Sequence, residues 1–136
     1  MENRDNSIMV GLYIREKLLK TNKELMSKIS GDKIYGLRAH SNTTYPYIIF
    51  ARTSIKPEYT KTMCPTGLNR LTITYHVVSN DYEESCDIAN SLRHALEHHY
   101  LGCDDIYIRE IELISAAENT DDDLFVQTLT FTSDVS

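Results

Sequence analysis

Apolar residues recur at three- and four-residue steps from Ser7 to about Ile29: Ile8, Leu12, Leu18 or Leu19, Leu25 or Met26, and Ile29. This spacing predicts a helix with one buried stripe. Ser7 is placed as an N-cap, and Gly31 with Asp32 as the end. Thr21 and Asn22 weaken the middle, so the stretch reads as one helix or as a helix followed by a separate turn. A short strand is expected at Lys33 to Leu37. Tyr45 to Ile55 is dense in β-branched and aromatic residues and reads as a strand, with Pro46 where a strand can begin without losing a ladder bond.

The clearest strand follows. Leu71, Ile73, Tyr75 and Val77 alternate with Thr72, Thr74, His76 and Val78, a period of two that turns one face to a core. Lys56 to Leu68, with Pro57, Pro65 and Gly67, reads as a connecting loop much longer than an ordinary hairpin turn. Asn80 with Glu83, and Asp81 with Glu84, have capping-box spacing. Ile88, Leu92, Ala95, Leu96 and His99 then mark a helix face, with an end expected near Tyr100 at Gly102.

From Ile106 to Ser115 the alternation changes phase: Ile106 and Ile108 share one face, Ile111 and Leu113 the other. A bulge near Arg109 or Glu110 reconciles them, because one extra residue resets the alternation. Glu118 to Asp123 reads as an acidic turn and Leu124 to Thr132 as the last strand. The order helix, short strand, long hairpin, helix, hairpin predicts an α+β two-layer sandwich. Its sheet is mainly antiparallel, of four to five strands, with two helices on one face.

The 136 residues suit a single domain spanning 1–136, with loose ends expected at 1–6 and 133–136. At 41% hydrophobic residues the chain can bury roughly two-thirds of its unfolded surface without disulfide or metal staples. Lys and Arg number 14 against 20 Asp and Glu, a net charge of −6 that disfavours gripping phosphate backbones as the main task. The three cysteines, Cys64, Cys86 and Cys103, have no C-x-x-C spacing and read as reduced thiols in a cytosolic setting. No apolar run is long enough to cross a membrane, and the polar start reads as neither export signal nor anchor.

The densest chemistry is His94-Ala-Leu-Glu-His98-His99-Tyr-Leu-Gly-Cys103. His94 and His98 share a helical face at the spacing by which two imidazoles grip a metal, with Asp87, Asn90 and Cys103 near. Ala95 stands where a zincin needs Glu, so both histidines read as solvated and His99 as part of the buried stripe. Asp104-Asp105 and Asp121-Asp122-Asp123 lack the calcium-loop alternation and read as solvated turns. Neither Cys86 nor Cys103 sits in a nucleophile signature, and no phosphate loop is present. Nine tyrosines against three phenylalanines fit an interface or a half-buried sheet equally.

Four pieces taken in order carry a resemblance: Gly31-Asp-Lys-Ile-Tyr35, Thr44-Tyr-Pro-Tyr-Ile-Ile-Phe50, Leu71-Thr-Ile-Thr-Tyr75, and the helix Ile88-Ala-Asn-Ser-Leu-Arg-His-Ala-Leu96. Together, from about Ile8 to Phe131, the chain resembles the tail-completion, or tail-terminator, family of long-tailed bacteriophages and prophages. It departs at Gly36, where the family often has proline, and in the length of Lys56 to Leu68. The resemblance implies a structural virion protein and no enzyme. Such a protein forms a ring, usually of six copies, at the head-proximal end of the tail, where it terminates the tube and joins it to the head.

The partners implied are the chain itself, a tail-tube protein and a head-connector protein, with DNA passing through unbound and no membrane or cofactor. The location implied is the virion, after assembly in the host cytoplasm. Ring closure needs head-to-tail contacts between two different faces. Lys56, Tyr59, Lys61 and Arg70 on the long hairpin, and Asp121, Asp122 and Asp123 on the next copy, are the candidate contact residues. The alternatives are a small metal-binding domain or enzyme using His94, His98 and Cys103, or another neck adaptor closing the capsid portal.

Overall fold

The computed structural model describes residues 7–29, 31, 33–39, 42–59, 65–97, 101–103 and 106–135. A 3-10 turn, Ser7–Met9, leads into α1 (Val10–Thr21) and α2 (Lys23–Lys28). The strands β1 (Ile34–Gly36), β2 (Tyr47–Tyr59) and β3 (Pro65–Ser79) precede α3 (Tyr82–Leu96). After it come β4 (Leu101–Cys103), β5 (Ile106–Ile108), β6 (Glu112–Asp121) and β7 (Leu124–Val135).

The expected α+β layering holds, and the sheet is mainly antiparallel. Among the described residues it has seven strands rather than four or five, in the order β1-β2-β3-β7-β5-β4, with β6 also on β7. The additions are short: β4 and β5 are three-residue strands. β1 runs parallel to β2, so the sheet is mixed at that edge.

One sheet face carries the core. Leu71, Ile73, Tyr75 and Val77 of β3 pack with Leu129 and Phe131 of β7 and Ile48 and Phe50 of β2 beneath the helices. The helices contribute Val10, Ile14 and Leu18 from α1, Leu25 from α2, and Ile88, Leu92 and Leu96 from α3. The other face stays half-exposed and is joined by hydroxyls, with Thr74 and Thr130 Oγ1 atoms 3.3 Å apart and His76 Nδ1 3.0 Å from Thr128 Oγ1. Alternation alone assigns these faces, as expected for a sheet covered on one side.

The first helix does divide at its weak middle. Asn22 Oδ1 accepts the Leu25 N–H at 3.0 Å and caps α2, satisfying a donor that a continuous helix would have paired otherwise. The stripe, however, has a different phase. Val10, Ile14 and Leu18 are buried, while Ile8 and Leu12 are 67% and 49% exposed. Apolar residues occupy both sides of this helix, so spacing alone leaves two stripes to choose from. The α1 cap position is Met9, after the 3-10 turn, and not Ser7.

α3 ends at Leu96, earlier than Tyr100, because Glu97 is extended at the C-cap with ψ 133°. Gly102 lies in β4 and is not the helix stop. The start of α3 is held by Ser79, whose buried Oγ accepts the Asp81 N–H at 3.1 Å and donates to Glu84 Oε1 at 2.6 Å. The expected boxes at Asn80 and Asp81 are replaced by this single hydroxyl, one residue before Asn80.

Between β5 and β6 the expected bulge is present. Ile108 faces Val135 and Glu112 faces Thr132, so four steps on one strand match three on β7 and both Ile108 and Ile111 point inward. A second register shift falls between Leu113 and Ser115 and turns Ile114 out to 55% exposure. The acidic turn is shorter than Glu118 to Asp123. β6 pairs as far as Asp121 with Leu124, leaving Asp122 (φ 53°) and Asp123 as the turn, a conformation Asp tolerates. The last strand likewise continues past Thr132: Ser133 and Val135 are buried, so 133–135 are strand and not a loose end. Residues 1–6 and 136 lie outside the described residues.

Candidate functional site

The segment Lys56 to Leu68, read as a loop, is mostly strand. Lys56 pairs with Arg70, Pro57 with Asn69 and Tyr59 with Pro65, with a register shift between Pro57 and Tyr59. β1 covers β2 only at Ile48 to Phe50, so beyond that point β2 is an edge strand, where proline removes no ladder bond and a bulge absorbs the irregularity. β2 and β3 thus form a long hairpin, joined on its β3 side by β7 as far as Asn69 and two-stranded only beyond it. Lys61 and the Tyr59 side chain lie outside the described residues.

Lys56 and Arg70 are exposed neighbours across this hairpin. Arg70 Nη1 also lies 3.4 Å from Asp134 Oδ1 on β7, an ion pair open to water and therefore weak. Asp121, Asp122 and Asp123 are exposed too, at the other end of the sheet. Asn69 of β3 faces Val135 while Ser79 faces Phe125, so ten residues of strand separate the two charged regions, roughly 33 Å at 3.3 Å per residue. Lys56 and Arg70 therefore do not meet Asp121, Asp122 and Asp123 within one chain.

The charge division extends further than these residues. From Ile8 to Lys56 the chain carries nine Lys or Arg against three acids, whereas from Glu110 onward it has seven carboxylates and no Lys or Arg. The first group builds α1, α2, β1 and β2; the second builds β6 and β7. Net charge conceals this because the halves largely cancel.

α3 is tied to the acidic hairpin by polar contacts. Tyr82 Oη donates to Glu118 Oε2 at 2.8 Å, and Gln127 Nε2 donates to Glu118 Oε2 at 3.2 Å and to Ser85 Oγ at 3.3 Å. The Tyr82 ring stands edge-on to Phe125 at 5.7 Å. The bond to the Glu118 carboxylate pushes the Tyr82 hydroxyl pKa up to about 12. At neutral pH this phenol is a fixed donor, not an acid.

His94 is exposed on α3 and borders a depression between α2 and α3 lined by Asn22, Glu24, Lys28, Asp87 and Asn90. Lys28 Nζ occupies its wall, 3.1 Å from Asp87 Oδ1 and 2.5 Å from Ser91 Oγ, and the Asp87 contact raises the ammonium pKa. An ammonium on Asp87 competes with any cation there. Among the described residues no group of His, Cys, Asp or Glu is arranged to hold a metal ion. His98 and the Cys103 side chain fall outside them. Cys86 is half-buried, its Sγ 3.6 Å from Gln127 Nε2.

Sequence reasoning missed the exposed apolar residues Ile8, Met9, Leu12, Leu37 and Ile114. Ile8 and Leu12 lie outside the core stripe in which their spacing alone puts them. Gly11 was the available signal, since its lack of a side chain marks the helix face that approaches Phe50. No described helix is long and apolar enough to cross a membrane.

A chain of the virion of a native gene transfer agent particle has a similar fold, with TM-score 0.73 at 14% identity, over 89% of this chain and 90% of that one. No curated protein matches the chain in sequence. The pattern of the tail completion protein gp17 family matches residues 16–133, which takes in all three helices in whole or part and all but the last residues of β7. With that match across most of its length, the four-part resemblance becomes a membership: the chain belongs to the tail completion protein gp17 family.

Proposed function

We propose that this virion structural protein forms a ring, of six copies, at the head-proximal end of a phage tail, where it stops tube growth and joins tube to head. The family match over residues 16–133 carries the reading. A ring needs two unlike, complementary faces on each copy, and a chain whose basic and acidic residues build different sides of one sheet supplies them. The work is done by surfaces, with no reacting groups. The protein acts in the virion after assembly in the host cytoplasm, beside a tail-tube protein and a head-connector protein. An acidic conduit lets DNA slide without sticking.

In this reading the β2–β3 hairpin, with Lys56, Tyr59, Lys61 and Arg70, reaches a neighbour inclined to it. Asp121, Asp122 and Asp123 receive it. The charges set register and encounter rate more than affinity.

Negative-stain imaging of the purified protein mixed with tail tubes tests the proposal. Rings seated on tube ends are the expected result, with a variant lacking Tyr59 to Thr66 failing to close them. Solitary subunits beside uncapped tubes overturn the ring, and rings formed by the deletion variant remove the hairpin from the contact.

A further inference from the structure

The β1 edge and the β6 edge of the sheet differ in kind. β1 is one edge and β6 lies on the other side, separated by β2, β3 and β7, roughly 19 Å at 4.8 Å per strand. Around the β1 edge, α1 begins against β2: Arg52 Nη1 donates to the Ile8 carbonyl at 2.8 Å, and the Leu37 N–H donates to the Phe50 carbonyl at 2.8 Å. Ile8, Leu12 and Leu37 stand exposed there at 67%, 49% and 79%, with the exposed cations Arg38 and Arg52 beside them. Three large apolar side chains in water at one end of a small domain are an unusual concentration.

β6 offers the counterpart. Its ten residues pair only with β7, and it contains no Lys, Arg or Pro, the residues that usually blunt an open edge. The bulge turns Ile114 outward, with the exposed carboxylate of Glu112 two residues before it and that of Asp121 at the far end of the same strand. Among the described residues, neither Arg38 nor Arg52 has a carboxylate partner, and neither Glu112 nor Asp121 a cationic one.

We infer that the β1-edge patch of one copy docks on the β6 edge of the next, burying Ile8, Leu12 and Leu37 against Ile114. This deepens the ring reading and rests on it. Charge selects this occupant: β1 edge against β1 edge opposes cations, and β6 against β6 opposes carboxylates, so a two-fold pairing of either patch is disfavoured. The unlike pair is complementary in both charge and apolar centre. Because the patches lie on opposite sides of one sheet, each contact leaves both ends unsatisfied until the chain of copies closes.

The test is a charge exchange read in the tail-tube assembly. Leu12→Glu places an acid against the acidic edge, and Ile114→Lys places a cation against the basic one. Each alone is expected to lower ring yield about tenfold or more, and the two combined in one chain to recover it. Leu37→Glu with Ile114→Lys is the second pair, should the melting curve of Leu12→Glu show a damaged fold. Single variants that close rings like the wild type overturn the inference and leave the ring standing. Blocked single variants without recovery in the combination overturn the direct meeting of these patches. A wild type that forms no rings overturns the functional reading itself.

Discussion

Gly11 of α1 lies so close to the Phe50 ring that a β-carbon on it would stand 2.7 Å from Cε2. Glycine within a helix costs about 1 kcal/mol relative to alanine, so the close approach must outweigh that penalty. Phe50 is itself packed against Tyr75, with ring centroids 5.9 Å apart, and has little room to retreat. Gly11→Ala should therefore destabilise the fold despite its better helix propensity, by about 1 kcal/mol once the propensity gain offsets an overpacking cost of 1–3 kcal/mol. Urea unfolding measures this, and a higher midpoint in the variant would mean the ring yields.

Tyr75 stands between Phe50 and Phe131, fully buried, and among the described residues its hydroxyl finds no hydrogen-bond partner. Removing an unsatisfied hydroxyl from such a site returns its desolvation penalty, so Tyr75→Phe should be neutral or more stable by about 1 kcal/mol at pH 8. Burial also holds this phenol protonated far above the ordinary value of 10.0. The unfolded chain releases the proton above that pH while the folded chain retains it. The contribution is therefore complete below pH 10 and lost as pH rises from there, at about 1.4 kcal/mol per pH unit. Urea midpoints at pH 8 and pH 11 should show the variant's advantage widening; a constant gap contradicts the assignment.

Ser79 serves the start of α3 through two hydrogen bonds from one buried oxygen. Ser79→Ala leaves the Asp81 N–H and the Glu84 carboxylate without it, and should cost about 1–2 kcal/mol, the usual range for a lost cap. Thermal melting followed by circular dichroism gives the value. Asn80→Ala, which removes a residue of the expected box, should change little.

Val135 is fully buried opposite Asn69 of β3 and Ile108 of β5. Val135→Ala removes two methyl equivalents from a packed site and should cost about 2 kcal/mol, counting transfer and residual cavity. A change below a few tenths would mean that this end of β7 contributes nothing to the core.

The centres of β1, β2, β3 and β7, the division of the first helix and the phase change after Ile108 were legible in order along the chain, whereas β4 and the outer ends of β2, β3 and β7 were not. Each follows from local chemistry: period-two alternation, a residue that competes with helix bonding, and one residue too many between two inward isoleucines. The family was legible for the same reason, since its marks are turns and strand starts. Which side of α1 would be buried was not, because Val10 with Ile14 and Ile8 with Leu12 are equally good stripes until Phe50 arrives from β2 to choose between them. Nor could local pattern show that Ser133 and Val135 belong to the core, since their partners, Arg109 and Ile108, stand more than twenty residues away.

The amino-acid order thus determined the layers, the sheet and the family, all of which depend on neighbours within a few residues. It also separated basic from acidic residues along the chain. Only the tertiary arrangement decided that these charges and the exposed Ile8, Leu12, Leu37 and Ile114 fall on opposite edges of one sheet, because strand order is set by pairing between distant segments.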